Sequence, residues 1–295
     1  MAAPTSESAD ATRAAARTAT NSAAARRVVR SSAIPWIVVP AIVVGLLVGL
    51  LVNWVVGVAV GVVAGVAIGI GRTVMLRAAT VVGLRNVFGG EPATPQDHPR
   101  LENLVEGLCV STGIAEPSVV LVDDPGANVA TFGPPDDAVL VVTTGLLGIL
   151  GRVELEAVLA EALARIQQRD AELAGVVATF TLGRLVRGGP NRPGSVSTRG
   201  LGRAAAAAEG AFEANRHLQA DLAAVAITRY PPALRAAIES MVATGTAVAG
   251  ATWGSAHCWM CDPLGAVSGP EAEQLAAALR THPDPGLRIN LLGEL

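Results

Sequence analysis

Few side chains in this sequence could carry chemistry, and the densest group lies in the helix-patterned segment Leu155 to Asp170, LEAVLAEALARIQQRD. Glu161 and Arg165 stand four residues apart with the acid first, the order that favours an ion pair along one helix face. Two readings are open. In a buried cleft the pair would be a polar cross-link; on a solvated face it would contribute only about 0.3 to 0.5 kcal/mol. Cys258 and Cys261 form a CxxC next to His257, but a zinc site would need a second such pair, and Cys109 stands alone. The motif runs into Asp262-Pro263 instead of opening a helix after a strand, so it reads as buried or free thiols in a reducing compartment. His98 and His282 precede prolines at element boundaries and read as structural. GVAIGIG, Gly65 to Gly71, lies inside an apolar run with no strand before it, which rules out a dinucleotide loop.

The elements that must position these groups form an α+β pattern. Leu155, Val158, Leu159, Ala162, Leu163 and Ile166 fall on one helical stripe. Pro117 to Val122, Asn128 to Phe132 and Ala138 to Thr143 are short β-rich runs between Asp-Pro-Gly and Gly-Pro-Pro turns, so a small sheet is expected. Helices are predicted at Pro99 to Gly113, Thr144 to Leu150, Gly202 to Thr228, Pro232 to Val248 and Glu271 to Arg280, with a loop at Gly188 to Arg203. Ala171 to Val186 contains Arg184 and is short for a membrane span, so it reads as a core or interface helix.

Ile34 to Ile70 contains no charged residue. As one helix it would be roughly 55 Å long against a hydrocarbon core of about 30 Å, so two spans with a reversal near Val52, Asn53 and Trp54 fit better. The run starts too far in, and is too long, for a cleaved signal peptide. Arg13, Arg17, Arg26, Arg27 and Arg30 precede it, and Arg72, Arg77 and Arg85 follow it. Both flanks obey the positive-inside rule only if both are cytoplasmic, which implies a hairpin with the main domain cytoplasmic. Ala41, Gly45, Gly49, Gly57, Gly61, Gly65 and Gly69 form small-xxx-small rows, either for packing within the hairpin or for self-association through Gly57, Gly61, Gly65 and Gly69. The expected organisation is a disordered basic tail over 1–31, a transmembrane hairpin over 32–72, a linker helix and loop over 73–97, and a domain over 98–295. All 22 basic residues are Arg and the net charge is -3, so nucleic acid is not an expected partner; the lipid bilayer is.

The segment at Leu155 to Asp170 resembles the zinc helix LAHELAHIxxRD of the HtpX-like membrane metallopeptidases. The resemblance continues in PRLENLVEGLCVSTGI (Pro99 to Ile114), PSVVLVDDPGANVATFG (Pro117 to Gly133), VVTTGLLGIL (Val141 to Leu150), AHCWMCDPL (Ala256 to Leu264) and THPDPGLRINLL (Thr281 to Leu292). It implies a mainly helical, zincin-like (gluzincin) domain with a small β-sheet. It also implies that Glu161 and Arg165 stand where the two zinc-binding His belong, and Ala162 where the catalytic Glu belongs. The later motif RHLQADLAA, Arg216 to Ala224, then puts Gln219 at the third ligand, while Asp170 and Asp221 are retained.

Catalytic zinc takes three protein ligands from His, Cys or carboxylate; Gln219 is a neutral amide and Arg165 a permanent cation. No catalytic residue, metal or other cofactor is therefore expected. The leading expectation is an inactive, membrane-anchored homologue that binds or regulates a protein or peptide partner in its degenerate cleft, with the strand edge Asn128 to Phe132 offering main-chain hydrogen bonds. An active zinc endopeptidase with unusual ligands is one alternative. A structural membrane-complex subunit, its cleft filled by its own side chains, is the other. In the cross-link reading the Glu161–Arg165 pair, alone or extended to Gln219 or Asp221, replaces the metal as a link between helices; in the other it is an ordinary solvated pair.

Overall fold

The computed structural model describes residues 6–181, 210–213, 215–265 and 282–295. Helix α1 (Ser6–Leu51) and helix α2 (Trp54–Phe88) are separated by two residues, and the side chain of Asn53 caps α2 by accepting from the Val55 amide at 2.8 Å. The reversal expected near Val52 to Trp54 is there. The two helices run antiparallel along their glycines: a Cβ on Gly57 would lie 2.5 Å from the Gly45 carbonyl oxygen, and one on Gly65 would strike Ile37 and Ala41. The row Gly57, Gly61, Gly65, Gly69 thus faces α1 of the same chain, where close backbone approach maximises dispersion contact, and is not presented to a second copy. The opposite faces expose Ile34, Val38, Val39, Ile42, Leu46, Val58 and Val62. Both helices are long and apolar enough to cross a membrane.

The amino-terminal tail departs from expectation. Among the described residues it is helical from Ser6 and continuous with the apolar segment, where a disordered tail is expected. The reason is its alanine content, which favours helix, together with a four-residue stripe: Ala24, Ala25, Val28 and Val29 are buried against Leu173, Val176, Val177 and Trp253.

The linker over 73–97 also belongs to the folded body. Leu84 and Phe88, at the end of α2, are buried, and Phe88 packs on Phe132 and Trp259 with ring centroids 5.2 and 5.4 Å away. Strand β1 (Glu91–Pro92) then adds to the sheet. The three expected strands appear as β2 (Ser118–Val122), β3 (Val129–Phe132) and β4 (Val139–Thr143), in the order β1-β2-β4-β3 with β2 and β4 parallel and the other pairings antiparallel. Central strand β4, VLVVT, is buried on both faces, as an uninterrupted apolar run requires.

One face of the sheet receives α3 (Pro99–Thr112), α5 (Arg152–Gln167) and α8 (Pro231–Thr244), and the other receives the end of α2 and α6 (Asp170–Val176). Short α4 (Thr144–Ile149) joins β4 to α5, while α7 (Arg216–Thr228) and α9 (Pro285–Gly293) complete the described helices. Of the expected core or interface helix Ala171 to Val186, residues Ala171 to Phe180 pack inward in α6 and a π-helical turn, Val177–Thr181, and residues 182–186 lie outside the described residues. The helix expected over Glu271 to Arg280, the loop at Gly188 to Arg203 and most of Gly202 to Asn215 lie outside the described residues.

A buried arginine network at the expected metal site

Helix α5 has an apolar stripe wide enough to be enclosed all round, and it carries two charged residues inside with it: Glu161 is 0% exposed and Arg165 2%. They do not form the expected ion pair. Arg165 donates its Nε to Asp170 Oδ2 at 2.9 Å, its Nη1 to the Cys258 carbonyl at 3.0 Å and its Nη2 to the His257 carbonyl at 3.0 Å. The partner is available because Arg169, between α5 and α6, takes a left-handed φ of 58°, so that α6 turns back with Asp170 at its start. A flexible arginine meets a carboxylate and two fixed carbonyls there, a fork geometry that one carboxylate along the helix could not match.

Asp170 also accepts from Arg216 Nη1, at 3.2 Å to each oxygen, and Arg216 Nη2 reaches the His257 carbonyl at 2.6 Å. Burial alone would raise the Asp170 carboxyl; the Arg216 and Arg165 guanidiniums outweigh it and hold it below the usual carboxylate range. A second buried pair lies alongside. Asp221 receives Arg288 Nε at 2.8 Å and Nη2 at 2.6 Å, while Arg288 Nη1 reaches the Met260 carbonyl at 2.9 Å. The two pairs tie α5, α6, α7, α9 and the segment 257–260 into one unit.

Glu161 stands between these pairs with neither carboxylate oxygen hydrogen-bonded to a described residue. Burial pushes its carboxyl up to about 7, opposed in part by the charges of Arg165 and Arg288. Three guanidiniums, Arg165, Arg216 and Arg288, face two aspartates, Asp170 and Asp221, so an ionised Glu161 brings the cluster to zero net charge.

On α7 the buried positions are His217, Ala220, Asp221 and Ala224, spaced i, i+3, i+4, i+7. Gln219 is half-buried, off this stripe, and its backbone oxygen accepts from Arg17 of α1 at 3.4 Å. The structure therefore brings Glu161, Ala162, Arg165, Asp170 and Asp221 together and leaves Gln219 outside; counting the stripe back from Asp221 points to His217. That His packs on His282 with ring centroids 4.8 Å apart, and burial keeps His217, His257 and His282 well below the usual imidazole range, His282 at about 3. Sequence reading also missed Arg216 and Arg288, because long-range arginine partners leave no local pattern.

The outer edge of β3 is not a free docking edge. Trp259 forms an antiparallel bridge with Ala130, Met260 donates its amide to the Val129 carbonyl at 2.8 Å, and the Asn128 side chain donates to the Cys261 carbonyl at 3.0 Å. Cys109, Cys258 and Cys261 are buried free thiols, with burial pushing Cys258 up to about 12 and Cys261 to about 11.

The profile of peptidase family M48 matches residues 95–295. The chain belongs to peptidase family M48. It is 30% identical over 227 residues to a protease HtpX homologue of Dictyoglomus turgidum, covering 70% of this chain and 73% of the relative, and 29% identical over 227 residues to one of Tropheryma whipplei, covering 70% and 76%. A protease HtpX homologue of Salinibacter ruber is 30% identical over 223 residues, covering 71% and 79%. No solved structure matches.

Peptidases of this type imply zinc, and the donor set at this place does not fit it. Among the described residues no three His, Cys, Asp or Glu side chains converge on a point that could hold a metal. Arg165 adds a buried permanent cation beside the one orphaned carboxylate, opposing a dication electrostatically.

Proposed function

We propose that this chain is a catalytically silent, membrane-anchored member of family M48 in which a buried Arg–Asp network takes the structural role that the metal centre has in an active zinc peptidase. The single observation that carries this reading is the Arg165 guanidinium, enclosed and bonded on three of its nitrogens to Asp170, Cys258 and His257. A side chain so held is neither a metal ligand nor a proton carrier near neutral pH. Ala162, at the position the resemblance gives to the catalytic Glu, has no group to activate water.

The chain is on this view a structural membrane protein, and two features support that over peptide capture in the cleft. Its own Trp259 and Met260 take the edge of β3, and α1 lies over the entrance to α7 and the end of α5 through Arg17 to the Gln219 carbonyl and Asn21 to the Gln168 carbonyl at 2.9 Å. In this proposal α1 and α2 cross the cell membrane as a hairpin with both ends and the main domain in the cytoplasm, supported by the arginines on both flanks.

The test is metal and protease analysis of the purified full chain. The expected result is substoichiometric zinc and intact casein after prolonged incubation with added zinc. Chelator-sensitive cleavage that disappears in Glu161→Gln would overturn it.

A further inference from the structure

We propose that the cytoplasmic end of α1 holds a binding site for the headgroup of an anionic phospholipid, formed by Arg26, Arg27 and Arg30. This rests on the membrane-anchoring reading above and adds to it a defined ligand and a defined place.

The segment Ala23 to Ile34 has two faces with different fates. Ala24, Ala25, Val28 and Val29 are clamped against Leu173, Val176, Val177 and Trp253, which fixes the rotation of the helix about its axis. The remaining face carries Arg26, Arg27 and Arg30, all exposed, and none of them has an ion pair or hydrogen bond with a described residue. Together with Ala23, Ser31 and Ile34 they line a groove of about 510 Å³. Among the described residues this arginine-rich face has no acidic partner, whereas the arginines that the domain buries at Arg165, Arg216 and Arg288 are each paired with an aspartate.

The depth of the groove selects a lipid. Trp36, an interfacial residue type, has the Arg72 guanidinium 4.7 Å from its ring centroid, marking where the apolar helices leave the hydrocarbon. Arg30 precedes Trp36 by six residues, roughly 9 Å along a helix, and its long side chain can reach back into the polar layer, about 5 to 7 Å thick on each side of the hydrocarbon core. Ile34 continues the groove onto the lipid-facing side, where it is 58% exposed. A phosphodiester fits the guanidinium fork, and the attached acyl chains would follow the exposed apolar surface of α1. Because α1 is one unbroken helix from Ser6 to Leu51, a lipid held there also sets the height of the whole domain above the membrane.

The experiment uses the full chain in nanodiscs of phosphatidylcholine alone or mixed with phosphatidylglycerol, with lipids retained after detergent extraction identified by native mass spectrometry. The parent should retain phosphatidylglycerol in preference to phosphatidylcholine, and Arg26→Gln/Arg30→Gln should lose roughly thirtyfold of that preference, since each guanidinium near the surface contributes separately. Arg152→Gln/Arg229→Gln, which removes the same charge from exposed sites on the folded domain, should behave as the parent. Equal retention by the Arg26/Arg30 variant and the parent, or no preference in the parent, would overturn the site. Alkaline carbonate extraction of membranes, done in parallel, separates this from failure of anchoring: a chain released by carbonate refutes the membrane reading and the lipid site with it.

Discussion

Arg165 lies one helical turn after Glu161 and bonds instead to Asp170, at 2.9 Å, across the turn made by Arg169. The consequence is a division of labour among buried charges. Arg165, Asp170 and Arg216 form a closed group with the carbonyls of 257 and 258, Asp221 and Arg288 form another, and Glu161 is left to respond to pH.

Removing Arg165 should be severe. Arg165→Ala leaves the Cys258 carbonyl without its donor and the His257 carbonyl and Asp170 with Arg216 alone, and breaking one side of a buried pair typically costs about 3 to 5 kcal/mol. Replacing the whole group, Arg165 and Arg216 by Met and Asp170 by Leu, should cost less than Arg165→Ala, because it leaves no member of the group buried and unpaired. Thermal unfolding of the full chain in detergent measures both; a melting temperature for Arg165→Ala equal to the parent's would show that the network contributes nothing.

Glu161 should make stability fall as pH rises. Its folded value is about 7 against an ordinary 4.5, so the fold favours the protonated form. The contribution is fully present below pH 4.5 and is lost as pH rises through 7. Glu161→Gln does not titrate, so its advantage over the parent should be small at pH 5 and grow to roughly 3 kcal/mol by pH 8, at about 1.36 kcal/mol per unit. Denaturant midpoints of parent and variant across this range give the comparison, and a constant difference would refute the assignment.

The helix pair should be sensitive to bulk at one glycine and not at another. A Cβ on Gly57 would meet the Gly45 oxygen and the Gly49 nitrogen at 2.5 Å, whereas one on Gly83, also on α2, meets nothing within 4 Å. Gly57→Val should therefore destabilise by about 1 to 3 kcal/mol or more, and Gly83→Ala should be neutral or stabilising. Detergent-solubilised thermal unfolding of the two variants distinguishes them; similar losses would mean that the row does not carry the packing.

Topology is open to direct measurement. Reporters fused after Ser31 and after Arg85 should both register in the cytoplasm, because arginines flank the apolar run on both sides. An external signal from either fusion would contradict the proposed orientation.

Much of the fold is legible in the order of the amino acids. The charge-free run with Asn53 near its middle marks two apolar helices and their reversal, because length against bilayer thickness leaves few choices and Asn is a ready helix cap. The strands at Ser118–Val122, Val129–Phe132 and Val139–Thr143 follow from β-rich runs between turn residues. The stripe on α5 and the unusual residues Glu161, Ala162 and Arg165 are visible as local spacing.

What the sequence by itself determined, then, is whatever depends on neighbours along the chain: element type, the apolar runs, and which residue types stand at the expected metal site. The tertiary structure alone decided who pairs with whom. Glu161 and Arg165 satisfy the helical spacing for an ion pair, yet Arg165 finds Asp170 and two carbonyls 92 and 93 residues away, and Asp221 finds Arg288 67 residues on. The alanine-rich tail, a helix by composition, docks because Leu173, Val176, Val177 and Trp253 offer it a surface, and the edge of β3 is closed by the distant segment of Trp259 and Met260. A charge removed from water takes the partners with the best geometry in three dimensions, and sequence spacing constrains that geometry only within about one helical turn.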